Sequence, residues 1–137
     1  MGPVPDRSHP EMQEKIHQEV DSVLEGYAQR PLSVDDLGDL KYLDCVLKEC
    51  NRLYPSAPMF GRHIFEETKI CGYTVPKGAS NIVMTYFLHR DENVFLIRSN
   101  LIQKGFFQRT KKIPEFAYVP FGAGPRNCIG RWFGEME

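Results

Sequence analysis

The sequence predicts a mainly α-helical chain with one small β region, an α+β architecture. Three observations carry that reading. Apolar residues recur at helical spacing through residues 10–54, and a strand-like stretch bracketed by Gly and Pro follows. A Gly- and Pro-punctuated loop around Cys128 then leads into a last helical stretch. At 137 residues the chain is long enough for one small domain. A formal net charge of -1 offers no basic footprint for nucleic acid or an anionic membrane. Apolar runs such as Asn81–Leu88 are far too short to cross a bilayer. The N-terminal MGPVPDRSHPEMQEK has no apolar core of a signal peptide.

In chain order, Met12, Ile16, Val20, Val23 and Leu24 mark a first helix over residues 10–25, with Pro10 in its first turn and Gly26 after its end. Ser33 followed by Asp36 forms an N-cap pair. The helix it opens runs from about Asp35 to Tyr54, with a weak point at Gly38. Leu40, Leu43, Leu47 and Cys50 are its expected buried stripe, and Pro55 and Pro58 end it. Two short strands, His63–Ile70 and Ala79–Phe87, are separated by Gly72 and by Pro76-Lys77-Gly78. Leu88–Phe95 reads as a turn or short helix, Ala117–Gly130 as loop, and Ile129–Glu137 as the start of a helix. Residues 96–112 stand apart, with five Lys or Arg and no Asp, Glu or Pro.

Cys45, Cys50, Cys71 and Cys128 contain no CxxC pair, which argues against a zinc site and against a disulfide framework and fits a reducing compartment. His9, His17, His63 and His89 also lack metal-ligand spacing. His89-Arg90-Asp91 is not a kinase catalytic loop, because the Asn at fixed offset, the DFG and the Gly-rich loop are missing.

Residues 121–130 read FGAGPRNCIG, with Phe, Gly, Arg, Cys and Gly at fixed positions. A pattern of that kind arises by chance on the order of once per million windows or less often. A second element, Glu49-Cys50-Asn51-Arg52, places a carboxylate and a guanidinium three apart on the second helix. Together these resemble the cysteine loop and the ExxR helix of the cytochrome P450 superfamily. HPEMQEKIHQEVDSVL resembles its J helix, LKYLDCVLKECNRLYPSAPMFGR its K helix and following strand, and GYTVPKGASNIVMTYFLHRD its pocket hairpin. LYPSAPMFGR and YVPFGAGPRNCIG most resemble the fourth family, which includes fatty-acid ω-hydroxylases.

The resemblance implies a partial cytochrome P450 fold: J and K helices, hairpin, meander, cysteine loop and the start of the L helix. It implies haem b as cofactor, with Cys128 as the thiolate ligand to iron. Phe121 is expected against the sulfur side of the haem, and backbone amides beyond Cys128 as donors to the thiolate. Gly124 and Gly130 are expected to let the backbone turn and approach where a Cβ would clash. Arg126 and Arg62 are expected to pair with haem propionates. Glu49 and Arg52 form a structural ion pair and do no chemistry on substrate. The implied reaction inserts one atom of dioxygen into a lipophilic, fatty-acid-like substrate. Electrons come from NADPH through a flavoprotein reductase, with Lys111, Lys112 and Arg131 as candidate docking charges. Localisation by resemblance is the cytoplasmic face of the endoplasmic reticulum membrane. The dioxygen-activating helix has no counterpart here, so no catalytic residue is assigned, and residues 1–137 read as a C-terminal segment of one haem domain. The alternative is a non-catalytic truncated fragment with at most weak haem binding; a haem–thiolate sensor or electron carrier is opposed by the ExxR helix and the hairpin.

The resemblance lapses over residues 96–110 and resumes at Ala117-Tyr118. Family members carry there a meander of the type FPDPEQFDPERFLPEN, whose Arg joins Glu49 and Arg52. Codons for FLIRSNLIQKGFFQRT, residues 95–110, can be chosen so that one inserted base spells that meander. Residues 96–110 therefore read as an out-of-frame segment, with Arg109 four positions from the expected Arg.

Overall fold

The computed structural model describes residues 9–24, 33–95 and 113–136. The segment read as out of frame, 96–110, lies outside the described residues, as do Lys111 and Lys112. The chain divides into two compact units, the first running to Cys50 and the second holding Asn51–Asn100 and Lys111–Glu137.

In the first unit, helix α1 spans Pro10–Leu24 with Met12 buried, and Ile16, Val20, Val23 and Leu24 partly buried as their spacing predicts. Helix α2, Val34–Asp39, starts at the predicted cap. The Ser33 N–H donates to the Asp36 carboxylate at 2.7 Å, while the Asp36 N–H donates back to Ser33 Oγ at 3.4 Å. The single helix expected over 35–54 is interrupted at Leu40, two residues past Gly38, and resumes as α3, Lys41–Leu53. Its first turn is capped from α1: the Glu19 carboxylate accepts the Tyr42 and Leu43 N–H groups at 2.7 and 2.9 Å. A carboxylate at that end also complements the helix dipole.

The expected buried stripe of α3 requires correction. Leu47 is 46% exposed, and Leu40, Leu43 and Cys50 are only partly buried. The buried positions are Glu49, Arg52 and Leu53. Leu47 lies well round the helix from those three, so hydrophobicity alone selects the wrong face.

In the second unit, β1 (Phe60–His63) pairs antiparallel with β4 (Ser80–Val83), with Arg62 opposite Asn81. Strands β2 (Thr68–Ile70) and β3 (Tyr73–Val75) form a hairpin. It turns at Cys71 and Gly72, both at positive φ of 50° and 85°, the backbone that a two-residue hairpin turn demands. The first expected strand thus begins earlier, at Phe60, and breaks after His63. A four-residue helical stretch, α4 (Thr85–Leu88), replaces the end of the second expected strand. There Thr85 Oγ1 donates to the Ala57 carbonyl at 2.8 Å and the Tyr86 N–H to the Pro58 carbonyl at 3.0 Å. These tertiary partners override the alternation. Residues 113–130 contain neither helix nor strand, and α5 spans Arg131–Met136.

The core of this unit joins Leu53, Phe95, Ala117 and Val119 to three buried polar residues, Arg52, Thr85 and His89. Among the described residues, no helix is long and apolar enough to cross a membrane.

Candidate functional site

The cysteine loop is built by short-range backbone hydrogen bonds. The Gly122 N–H donates to the Val119 carbonyl at 3.0 Å, the Asn127 N–H to Gly124 at 3.1 Å, and the Cys128 N–H to Phe121 at 2.8 Å. Gly122 and Gly124 sit at φ 72° and 78°, which only glycine adopts without strain. A Cβ on Gly124 would meet nothing within 4 Å, so that glycine serves the turn alone. At Gly130 the expected clash does not occur: a Cβ there would lie 3.9 Å from Cys128 Sγ, an ordinary contact. Beyond the cysteine, the Arg131 N–H donates to the Cys128 carbonyl at 3.3 Å and opens α5.

Strand β1 is tied to this loop by Arg62. One guanidinium nitrogen donates to the Gly61 carbonyl at 2.9 Å and the other to the Arg126 carbonyl at 2.7 Å. The guanidinium carbon stands 4.8 Å from the centre of the Phe60 ring, a cation–π distance. Between strand and loop lies a cleft of about 300 Å³, whose lining includes Phe60, Arg62, Phe121, Gly122, Arg126 and Cys128. Of the six residues expected from the sequence, Cys128, Phe121, Arg126 and Arg62 share this cleft, whereas Gly124 and Gly130 are not among its lining residues. Gly124 supports it only as part of the loop. Phe60, Gly122 and Asn127 also line it and were not singled out from the sequence. The positive φ of Gly122 was signalled by the first glycine of FGAG; Phe60 and Asn127 carry no signal apart from their position in the fold.

Cys128 is exposed. Burial, followed by the Glu49 carboxylate, pushes the Cys50 thiol up, and burial followed by Asp44 does the same to Cys45. A raised pKa disfavours the thiolate that binds metals. Cys71 lies in the hairpin turn and is not part of the cleft. Among the described residues, no group of three or more His, Cys, Asp or Glu side chains could hold a bare metal ion.

The two residues of the ExxR element lie one turn apart on α3 and are both buried, Glu49 at 4% and Arg52 at 2% exposure. Arg52 Nη1 donates to the His89 carbonyl at 2.7 Å, and its guanidinium lies 5.1 Å from the centre of the Phe95 ring. Arg90 donates to the Leu53 carbonyl at the end of the same helix. Neither Glu49 nor Arg52 is among the residues lining the cleft.

A family model described as Cytochrome P450 matches residues 7–137. Over 131 residues the chain is 44% identical to cytochrome P450 4V2 of Rattus norvegicus, covering 95% of this chain and 25% of that protein. Identity to cytochrome P450 4V2 of Homo sapiens is also 44% over 131 residues, with the same coverage. Probable cytochrome P450 4d20 of Drosophila melanogaster is 43% identical over 130 residues, 94% of this chain and 26% of that protein. The chain therefore spans about a quarter of the length of the curated relatives it matches.

Proposed function

The chain belongs to the cytochrome P450 family, and on that premise we propose that it supplies the haem–thiolate portion of a monooxygenase acting on a lipophilic substrate. The observation that carries the reading is the cleft in which Cys128, Phe121, Arg62 and Arg126 meet. Its donor set fits haem. One thiol is available to the iron, Phe60 and Phe121 offer apolar rings to a flat macrocycle, and two guanidinium groups suit its two propionates. When bound, a thiolate-ligated haem supplies dioxygen activation and transfer of one oxygen atom to substrate.

The protein's own residues hold and orient. Cys128 would hold the iron through Sγ. Arg62, fixed on the Gly61 and Arg126 carbonyls, would meet a propionate with little rotamer entropy left to lose. Gly122 and Gly124 let the loop turn tightly enough to present the cysteine. Glu49 and Arg52 act on the fold rather than on substrate. The relatives' family position supports a fatty-acid-like substrate, electrons from NADPH through a flavoprotein reductase, and the cytoplasmic face of the endoplasmic reticulum membrane as the setting. The test is the reduced, carbon-monoxide difference spectrum of the chain loaded with haem, alongside Cys128→Ser.

The exposure of Ile129, Trp132 and Phe133 favours a second reading. In it, this chain by itself binds haem weakly and turns over no substrate, because the apolar surface around the cysteine loop needs further protein to cover it.

A further inference from the structure

His89 has no place in the haem site, yet its ring is fully buried. Three different segments converge on it. Its backbone carbonyl accepts Arg52 Nη1 of α3 at 2.7 Å. Its ring Nε2 accepts the Val119 N–H at 3.0 Å. The Tyr118 ring lies alongside, 5.2 Å between centres. The next residue, Arg90, donates to the Leu53 carbonyl, so the same turn grips the end of α3 twice.

These bonds join into a continuous run. Arg52 donates to His89, and the Val119 N–H donates to the His89 ring. The Val119 carbonyl accepts from Gly122, and Phe121, between them, accepts from the Cys128 N–H. We infer that His89 is a positioning residue for the cysteine loop, transmitting the placement of Arg52 and Leu53, the last residues of α3, to Val119 and so to Cys128. The inference rests on the proposed haem–thiolate role of that loop.

The chemistry of the ring makes the assignment specific. Nε2 can accept from Val119 only when it carries no proton, which puts the proton of the neutral ring on Nδ1. Nδ1 is buried and has no hydrogen-bond partner among the described residues. The work of the side chain is therefore done by one acceptor atom at the Nε2 position. Burial first, then the Arg52 and Arg90 guanidiniums, lower the His89 pKa from 6.5 to about 4, consistent with a ring held neutral. Among the described residues, Arg52 on α3, Arg90 on its own turn and the phenol of Tyr118 are the charged or titratable groups set against it.

Glutamine can place its carbonyl oxygen where Nε2 stands, whereas asparagine is too short and alanine has no acceptor. The experiment uses the full chain, haem-free and haem-loaded, as wild type, His89→Gln, His89→Asn and His89→Ala. In the haem-free chain, amide exchange at Val119 should be slow in wild type and His89→Gln and roughly two- to tenfold faster in the other two, the loss of one net hydrogen bond. In the haem-loaded chain, the thiolate-type Soret band should survive in His89→Gln and fall in His89→Asn and His89→Ala. Equal Val119 exchange in wild type and His89→Ala overturns the inference, as does a His89→Gln variant no better than alanine. A distinct outcome separates the two claims. If Cys128→Ser leaves the haem spectrum unchanged while His89→Ala still frees Val119, the haem reading fails and the His89 joint stands.

Discussion

Removing the Arg52 guanidinium should abolish haem incorporation rather than slow turnover. The structure sets the magnitude. Arg52 is 2% exposed and donates at 2.7 Å to the carbonyl of His89, itself fully buried. A hydrogen bond from a charged group contributes about 1.5–3 kcal/mol. Its position over the Phe95 ring, 5.1 Å from the centre, adds about 1–2 kcal/mol in a desolvated setting. The sum is about 2.5–5 kcal/mol. Against a typical domain stability of roughly 5–15 kcal/mol, that is a large enough fraction to loosen the architecture that presents Cys128. The assay is the haem-to-protein ratio of a chimera in which this segment replaces the matching quarter of the rat relative. Residues 95–110 are replaced by FPDPEQFDPERFLPEN in it, so that the meander is not the limiting defect. Arg52→Ala should lose most of its haem, and Arg52→Lys nearly as much, because an ammonium cannot reproduce the planar fork. Glu49→Ala should behave alike. Full haem content with a reduced turnover number would refute the structural role and move Arg52 into the chemistry.

Three further outcomes are expected. Because the His89 pKa is lowered from 6.5 to about 4, the unfolded chain takes up a proton first as pH falls. Stability is then full above about pH 6.5 and declines down to about pH 4, by on the order of 3 kcal/mol. Urea midpoints of the chimera at several pH values should show that decline in wild type and lose it in His89→Gln; parallel curves would contradict it. The chain by itself, with Ile129, Trp132 and Phe133 exposed, should melt broadly and show no monooxygenase turnover, and a sharp calorimetric transition from a monomer would count against this. Sequencing the transcript should find that codons for Leu96–Thr110, shifted by one base, spell the proline- and acid-rich meander; a shifted frame without it ends the out-of-frame proposal.

Much of this fold was legible because local chemistry and tertiary packing agree. Ser33 and Asp36 form the cap their spacing announces, Pro10 opens α1, and the residues from Ala117 to Gly130 remain loop. FGAGPRNCIG brought Phe121, Arg126 and Cys128 to one cleft because contiguous residues on a tight loop have little freedom to separate. The failures share one cause. On α3 the buried face carries Glu49 and Arg52 instead of Leu47, and polar residues enter a core only where partners distant in sequence satisfy them. Thr85, whose hydroxyl reaches Ala57, and His89, whose ring receives Val119, are the same case. Periodicity measures apolar patterning and is blind to such partners. Phe60 reached the cleft through the pairing of β1 with β4, a register that no single segment encodes.

The central claim is that Cys128 is the thiolate ligand of a haem held between β1 and the cysteine loop. The most direct measurement is the reduced, carbon-monoxide-bound spectrum of the haem-loaded protein and its cysteine variants. A red-shifted Soret band of the thiolate type should appear in wild type and persist in Cys45→Ser, Cys50→Ser and Cys71→Ser. It should vanish in Cys128→Ser, since a neutral hydroxyl cannot replace the thiolate donor. A thiolate-type band that survives in Cys128→Ser would contradict the account.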